Sequence, residues 1–253
     1  MTVKAPYREQ LPALRALWQE AFGDGEAFLD AFEQTAFHEE RCRCVTVDGR
    51  TVAALYWFDC AYGDARVAYL YAIATVKAYR GRGLCAALME DTHRHLNALG
   101  YEGAILVPGS KKLFAFYEKF GYRTCSHVAE VSCRPSADAL SVRRIGIEEY
   151  AALRRLLLPE GGVLQENENL RFLQTQATLY AGEGFLLAAR REGDTLFGAE
   201  LLGDATVAPA IVRSLGCKDG RFRTPGKDIP FAMYLSLGEE KLAPPSYFGI
   251  AFD

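Results

Sequence analysis

Tyr69-Leu70-Tyr71-Ala72-Ile73-Ala74-Thr75-Val76-Lys77-Ala78-Tyr79-Arg80-Gly81-Arg82-Gly83-Leu84-Cys85-Ala86 is the most informative stretch of this 253-residue chain. Its first part is rich in aromatic and β-branched side chains and reads as a strand. From Gly83 to Leu99 the residues Leu84, Leu88, Leu96 and Leu99 recur on one side of a helix, and Gly100 stands where a left-handed cap would end it. Between strand and helix lies a short loop of Gly and Arg. At a helix start the free backbone N–H groups and the positive end of the helix dipole face outward together. Glycine there lets a phosphate approach the amides without a side chain in the way. The loop is therefore a candidate anion site, most naturally for a pyrophosphate.

Two families of phosphate loop compete for these residues. Gly81-Arg82-Gly83-Leu84-Cys85-Ala86 satisfies the dinucleotide fingerprint G-x-G-x-x-[GA], with Glu102 about 20 residues on. Context argues against it, because Val76 to Arg80 separate the strand from the first glycine and Glu102 precedes the next strand instead of closing it. Arg80-Gly81-Arg82-Gly83-Leu84-Cys85 instead resembles motif A, [QR]-x-x-G-x-[GA], of the GNAT superfamily of acyl-CoA-dependent N-acetyltransferases, with the small Cys85 where Gly or Ala is usual. Phe116-Tyr117-Glu118-Lys119-Phe120-Gly121-Tyr122 is similar to the F-Y-E-K-x-G-F signature of the same family.

The resemblance implies a set of roles. Ile73, Ala74 and Thr75 would lie beside the pantetheine arm of acetyl-CoA as an added strand does. Arg80, Gly81, Arg82, Gly83, Leu84, Cys85 and Ala86 would cradle the pyrophosphate, and Ser110 stands where many relatives have a pantetheine-bonding Asn. Tyr117 matches the frequent general acid; taken alone it reads as a packed helix aromatic beside Phe114 and Phe116. An amine acceptor is an ammonium at neutral pH and must lose a proton before it attacks. Relatives often supply a carboxylate from the central strands, but Val67 to Val76 has none, and Asp59 on the preceding strand is the nearest candidate base. Backbone N–H groups around Ala74 would hold the oxyanion. Gly23-Asp24-Gly25-Glu26 and Asp30 resemble the segment bordering the acceptor; their carboxylates would either favour a cationic amine or simply decorate a helix N-terminus.

Outward from this stretch, two helices open the chain, the first from Glu9 to Phe22. Cys44–Val47, the Asp48-Gly49 turn and Thr51–Phe58 read as a hairpin, followed by a strand from Val67 to Thr75. After the helix from Gly83 come a strand at Ala104–Val107, a helix at Lys111–Lys119 capped by Gly121, and a strand at Tyr122–Cys133. The expected class is α/β (α+β): a GNAT-like mixed, mostly antiparallel sheet flanked by helices, with a second, smaller GNAT-like domain. Arg134–Asp138, small, polar and proline-bearing, is the expected linker between a domain at 1–134 and a degenerate or accessory α+β domain at 140–253. Glu9–Leu17 aligns with Glu148–Leu156, and more loosely Phe28-Leu29 with Asn169-Leu170 and Asp48–Thr51 with Glu192–Thr195. This is either an internal repeat or a coincidence of amphipathic helices. The second half's own motif-A candidate, Arg223–Asp228, runs into Ile229-Pro230, so no helix can begin there and no second CoA site is expected. The aromatic C-terminus, Pro244 to Asp253, is expected to dock as a strand.

Composition narrows the partners. The chain has 29 Lys and Arg against 32 Asp and Glu, net −3, with no basic block, so no nucleic-acid footprint is present. No apolar run approaches the roughly 20 residues of a membrane helix. The start shows no hydrophobic signal core, and seven irregularly spaced cysteines suit reduced thiols, so a cytoplasmic protein is expected. Cys42-Arg43-Cys44 has no second ligand pair, and no metal is expected. The resemblance implies an acetyl-CoA-dependent N-acetyltransferase acting by direct attack of a primary amine, of a small molecule or a peptide, in a ternary complex. A non-catalytic acyl-CoA-binding sensor is the alternative.

Overall fold

The structure, a computed structural model, describes residues 1–238 and 242–252. The chain divides into two compact units, Met1–Arg123 with Tyr234–Pro244, and Thr124–Met233 with Pro245–Asp253. The boundary differs from the expected break at Arg134–Asp138. Backbone pairing decides this: the strand Arg123–Cys133 lies antiparallel to Asp219–Pro225, and Ser136 N–H donates to the Pro209 carbonyl, which ties the expected linker into the second unit.

The first unit runs β1 (Thr2–Lys4), α1 (Leu11–Phe22), α2 (Glu26–Thr35), β2 (Cys42–Val47), β3 (Arg50–Tyr62), β4 (Ala65–Thr75), α3 (Leu84–Ala98), β5 (Gly103–Leu106) and α4 (Lys111–Glu118). Only β1 was absent from the sequence reading; three residues are too few to carry a period. The strands lie in the order β1-β2-β3-β4-β5, antiparallel except for β4 with β5, which α3 connects as a crossover. Leu14, Leu17 and Trp18 of α1 and Leu29 and Phe32 of α2 are buried, with the Trp18 ring 5.1 Å from Tyr56 and 5.5 Å from Tyr71. Leu84, Leu88, Met89 and Leu96 form the buried stripe of α3. Gly100 and Gly121, at φ 79° and 90°, adopt the left-handed conformation that their capping positions require.

The second unit contains β6 (Arg123–Cys133), β7 (Arg143–Arg144), α5 (Ile147–Leu157), β8 (Leu164–Gln165), α6 (Glu168–Gln176), β9 (Thr178–Gly182), β10 (Phe185–Glu192), β11 (Thr195–Gly203), α7 (Ala208–Ser214), β12 (Asp219–Pro225) and β13 (Ile229–Ser236), whose last residues belong to the first unit. Here too two helices precede antiparallel strands, and a helix, α7, crosses between the parallel pair β11 and β12. The crossover makes β4 and β11 equivalent, so the internal repeat is real at the level of topology. It also corrects one alignment. The turn at Gly193-Asp194 joins β10 to β11 and corresponds to Gly63-Asp64 between β3 and β4, not to Asp48-Gly49 one hairpin earlier.

The second unit buries an ion pair at its centre. Arg154 donates to both carboxylate oxygens of Glu200, at 2.7 and 2.9 Å, and the hydroxyls of Tyr150 and Tyr247 donate to the same carboxylate at 3.2 and 3.1 Å. Burial works against the Arg154 charge, but the field and hydrogen bonds of Glu200 outweigh it and raise its pKa. Tyr247 comes from the C-terminal segment, which is docked as expected but not as a strand. Pro244 and Pro245 cannot donate to a ladder, and the segment makes a single bridge, Tyr247 with Gly162. Side chains hold it instead: Gln165 bonds both the N–H and the carbonyl of Ile250, and Ser126 does the same for Phe248. Asp253, the last residue of that expected strand, lies outside the described residues.

Removing the guanidinium leaves a buried carboxylate without its counter-charge. Arg154→Met should therefore destabilise the protein by about 3–5 kcal/mol. Urea unfolding measures this, and a loss below about 1 kcal/mol would show that the pair is not the centre of the unit.

Candidate functional site

β4 pairs with β3 from Ala65 to Thr75 around one irregularity, but with β5 only at Val67, Ala68 and Tyr69. Beyond Tyr69 the two parallel strands part. Among the described residues the β4–β5 ladder does not extend to Ile73–Thr75, so an extended ligand could pair with the backbone there. The irregularity falls in the same place. Tyr71 faces Tyr56 and Ala74 faces Ala54, so Leu55 opposes two residues, Ala72 and Ile73, in a β-bulge. Ala72 is held at φ 48°, a conformation costing a non-glycine residue roughly 1–3 kcal/mol. No signal in the sequence marks the bulge, because Ala72 looks like any small strand residue.

The strand then feeds the glycine loop. Val76 N–H donates to the Val52 carbonyl at 2.9 Å, and Lys77 N–H donates to the Glu20 carboxylate on α1 at 2.6 Å. Arg80 Nε donates to the Thr75 carbonyl at 3.0 Å, and Arg82 donates to the Ala78 carbonyl at 3.1 Å while its guanidinium lies 4.9 Å from the Tyr79 ring centre. Gly81 and Gly83 have φ of 75° and 73°, and no protein atom lies within 4 Å of where a Cβ would stand at either. Backbone conformation, not neighbouring protein, demands glycine, and the space before the loop is open. Gly83 is the N-cap of α3, and no side chain caps the helix. The first-turn amides, including those of Leu84, Cys85 and Ala86, thus lack a side-chain acceptor. Ile73, Ala74, Thr75 and the residues from Arg80 to Ala86 form one continuous path from bulge to helix. Ser110, the exposed N-cap of α4, makes no side-chain capping bond and is followed by exposed Lys111 and Lys112.

Tyr117 lies on α4 with only 7% of its surface exposed. Its ring meets Phe116 at 5.2 Å and Tyr122 at 6.1 Å, and its hydroxyl has no hydrogen-bond partner among the described residues. Burial, with a smaller contribution from the Cys85 thiol, raises its pKa well above the usual phenol range, so the side chain keeps its proton. Burial also pushes Cys85 up to about 11, leaving it a neutral thiol. Behind Tyr117, the buried hydroxyl of Tyr122 is hydrogen-bonded to His93 Nε2 on α3 at 2.9 Å. Burial lowers the His93 pKa to about 4.

Asp59 is placed differently. It pairs with Ala68, which is four or five residues, or about 13–16 Å, along β4 from the bulge. Its carboxylate accepts from the Tyr101 hydroxyl and pairs with Arg41 at 3.4 Å and Arg66 at 3.5 Å. A base must come within hydrogen-bond reach of the proton it takes. Asp59 is too far from the bulge and is engaged by cations, so it is not carried forward as the base. The acids after α1 are also committed: Asp24 accepts from the Trp18 indole at 2.7 Å, Asp30 pairs with Arg15 at 2.8 Å, and Glu26 pairs with Arg15. They clamp α1 to α2.

In the second unit the equivalent strand keeps the bulge. Ala188 faces Glu200 and Ala189 faces Gly198, so Ala199 is the extra residue on β11. Glu200, next to the bulge, is buried with its carboxylate bonded by Arg154, Tyr150 and Tyr247. The following loop carries Asp204, and α7 is a helix of 7 residues. Gly226, in the other motif-A candidate, backs onto Ala129 with no room for a Cβ, and no helix follows.

The comparisons with known proteins agree with this geometry. Residues 2–125, just under half of the chain, match the family model described as acetyltransferase (GNAT) domain. Among solved structures, a GCN5-related N-acetyltransferase from Kribbella flavida is similar to 92% of this chain over 70% of its own, at 17% identity and a TM-score of 0.70. Eis1 from Mycobacterium abscessus is similar over 94% of this chain and 74% of its own, at 13% identity and a TM-score of 0.70. A tandem GNAT protein from the clavulanic acid biosynthesis pathway is similar over 95% of this chain and all of its own, at 10% identity and a TM-score of 0.59. At these identities the likeness is one of fold. No curated protein matches the sequence. Among the described residues no helix is long and apolar enough to cross a membrane, and no group of three or more His, Cys, Asp or Glu is placed to hold a metal.

His93 generates a pH prediction. Its folded pKa, about 4, lies below the ordinary 6.5, so the unfolded chain binds the extra proton between those values and stability must fall as pH drops through that window. His93→Gln should remove this part of the acid sensitivity. Urea midpoints at pH 7 and 4.5 test it, and an unchanged pH dependence in the variant would remove His93 as the source.

Proposed function

We propose that the chain transfers an acetyl group from acetyl-CoA to a primary amine by direct attack in a ternary complex. The observation that carries this reading is the parting of β4 from β5 at a bulge that leads, without interruption, into an uncapped glycine-rich helix start. An extended pantetheine arm would take the place of the missing strand along Ile73–Thr75, donating to and accepting from the vacant backbone edge. Gly81 and Gly83 would let the pyrophosphate reach the first-turn amides of α3, with Arg80 and Arg82 beside it. Ser110 and the lysines after it would lie at the start of α4.

The bulge has a second part in this proposal. A strand that bulges turns a backbone N–H out of its ladder, and a donor fixed at Ala72–Ala74 would bind the carbonyl oxygen of the thioester as it becomes negative. The amine nitrogen forms its bond to the acyl carbon and the carbon–sulfur bond breaks. The ammonium proton leaves through water, since no carboxylate stands on β4. Tyr117, held protonated by its burial, gives its proton to the departing thiolate and regains one from solvent. The second unit, whose crossover helix has only 7 residues and whose Gly226 backs onto Ala129, contributes no acyl-CoA site of its own. One observation favours the alternative, a non-catalytic acyl-CoA-binding module: the Asp59 carboxylate is engaged by arginines. Release of free thiol from acetyl-CoA across a panel of amines separates the two, since turnover with any amine excludes a pure sensor.

Acetyl-CoA at a hundredfold excess over its dissociation constant should stabilise the fold by about 2.7 kcal/mol, and Gly83→Asp, adding bulk and negative charge against the phosphates, should abolish the shift. An unchanged melting temperature of the parent at millimolar acetyl-CoA would sink the assignment. Tyr117→Phe should lower kcat by about 10²-fold with the acetyl-CoA KM little changed. In the parent, kcat should rise with pH as the amine deprotonates, with no fall attributable to Tyr117 below about pH 10. A kcat within about threefold of the parent in Tyr117→Phe would remove that residue from the mechanism.

A further inference from the structure

Tyr117 has a problem that its own contacts do not solve. A group that delivers a proton must stand within a fraction of an ångström of its place. Yet the Tyr117 hydroxyl has no protein partner among the described residues, so only packing of its ring places it. The ring that meets it edge-on from within the core is Tyr122, 6.1 Å away at 65°. Tyr122 is itself fully buried, and its N–H donates to the Tyr117 carbonyl at 3.4 Å around the turn at Gly121. A buried phenol costs roughly 1–3 kcal/mol if its hydroxyl goes unmet. That hydroxyl has one partner among the described residues, His93 Nε2, at 2.9 Å.

We propose that His93 is a positioning residue for this site: its hydrogen bond to Tyr122 sets the ring against which Tyr117 stands. The proposal rests on the acetyltransferase reading and adds to it a residue outside both sequence motifs. His93 lies on α3, about 12 Å along the helix from Cys85, so the helix whose first turn would hold the phosphates also carries the strut that orients the proton donor. The imidazole is neutral, with its ring centre 5.6 Å from that of Tyr122, and it bridges α3 to the turn after α4. A residue with only a packing role would place a hydrophobic side chain here at no cost in buried polar atoms. The His–Tyr pair instead fixes one rotational setting of the Tyr122 ring.

The test is steady-state kinetics of the full chain with acetyl-CoA and the best amine of the panel. His93→Phe should lower kcat by about tenfold, leave the acetyl-CoA KM within about twofold, and be largely rescued in His93→Gln, whose amide can still reach the Tyr122 hydroxyl. Tyr122→Phe deletes the same bond while keeping both rings, and should give the same loss if His93→Phe fails to fold. In a Tyr117→Phe background, neither change should lower kcat further, because the strut acts through a hydroxyl already gone. A folded His93→Phe or Tyr122→Phe with parental kcat, a loss confined to KM, or an equal further loss without the Tyr117 hydroxyl would each overturn the proposal. Failure of the parent to turn over any amine would overturn the acetyltransferase reading and this inference with it. Parental turnover that is indifferent to both variants would overturn this inference alone.

Discussion

The first unit is organised by a limit on pairing. β4 and β5 are parallel and joined by α3, and they share a ladder at only three residues before they part. The proposed site depends on the parting. The ladder to β5 does not reach the backbone groups of Ile73–Thr75, and the chain bulges at Ala72–Ile73. The strand also ends beside the first turn of α3 instead of burying it. A ladder continued to Thr75 would satisfy those groups internally and leave nothing for an extended ligand to bind. The fold accepts a strained Ala72 and an uncapped helix, each of which opposes folding, and the large aromatic and aliphatic core around Trp18, Phe32, Tyr56 and Leu88 outweighs them.

The second unit shows the same scaffold put to another use. Its β11 bulges where β4 does and is followed by a crossover helix, and next to the bulge the buried Glu200 gathers Arg154, Tyr150 and Tyr247. A buried ion pair adds less than its contacts suggest, because both charges give up their water. The close hydrogen bonding here shows how it is tolerated: both oxygens of the carboxylate are met, and Gly249 leaves no Cβ to disturb them. The C-terminal segment is thereby part of the unit's core and not an appendage.

Tyr117 and His93 illustrate how burial can be used without charge. Both are neutral through the physiological range because desolvation disfavours their ionised forms, and the phenol keeps the proton that a departing thiolate would need. The cluster around Asp59 is the opposite case. Two guanidiniums and the Tyr101 hydroxyl surround the carboxylate, which suits a structural node at the far end of β3.

Local signals were enough for much of the first unit. The Leu84, Leu88 and Leu96 stripe, the Asp48-Gly49 turn, the caps at Gly100 and Gly121 and the run Arg80–Ala86 are short-range features, and each lies where the sequence places it. The family motifs carried the reading further, to Tyr117 and the glycine loop, because those motifs encode a strand-loop-helix geometry within a few residues. Features set by distant partners were not legible. Asp59 was read as the candidate base because it is the carboxylate nearest β4 in sequence, and only the packing of Arg41, Arg66 and Tyr101 shows how it is engaged. The domain boundary was read at Arg134–Asp138 because that stretch is polar, whereas the two compact units meet near Arg123, and β6 pairs with β12 some ninety residues on. The sequence by itself determined most of the first unit's elements, their order and the glycine loop at a helix start, since these depend on side-chain periodicity and on glycine. Tertiary structure alone decided the bulge, the parting of the strands and the His93–Tyr122 strut, since each depends on a register or a meeting between residues that no local pattern records.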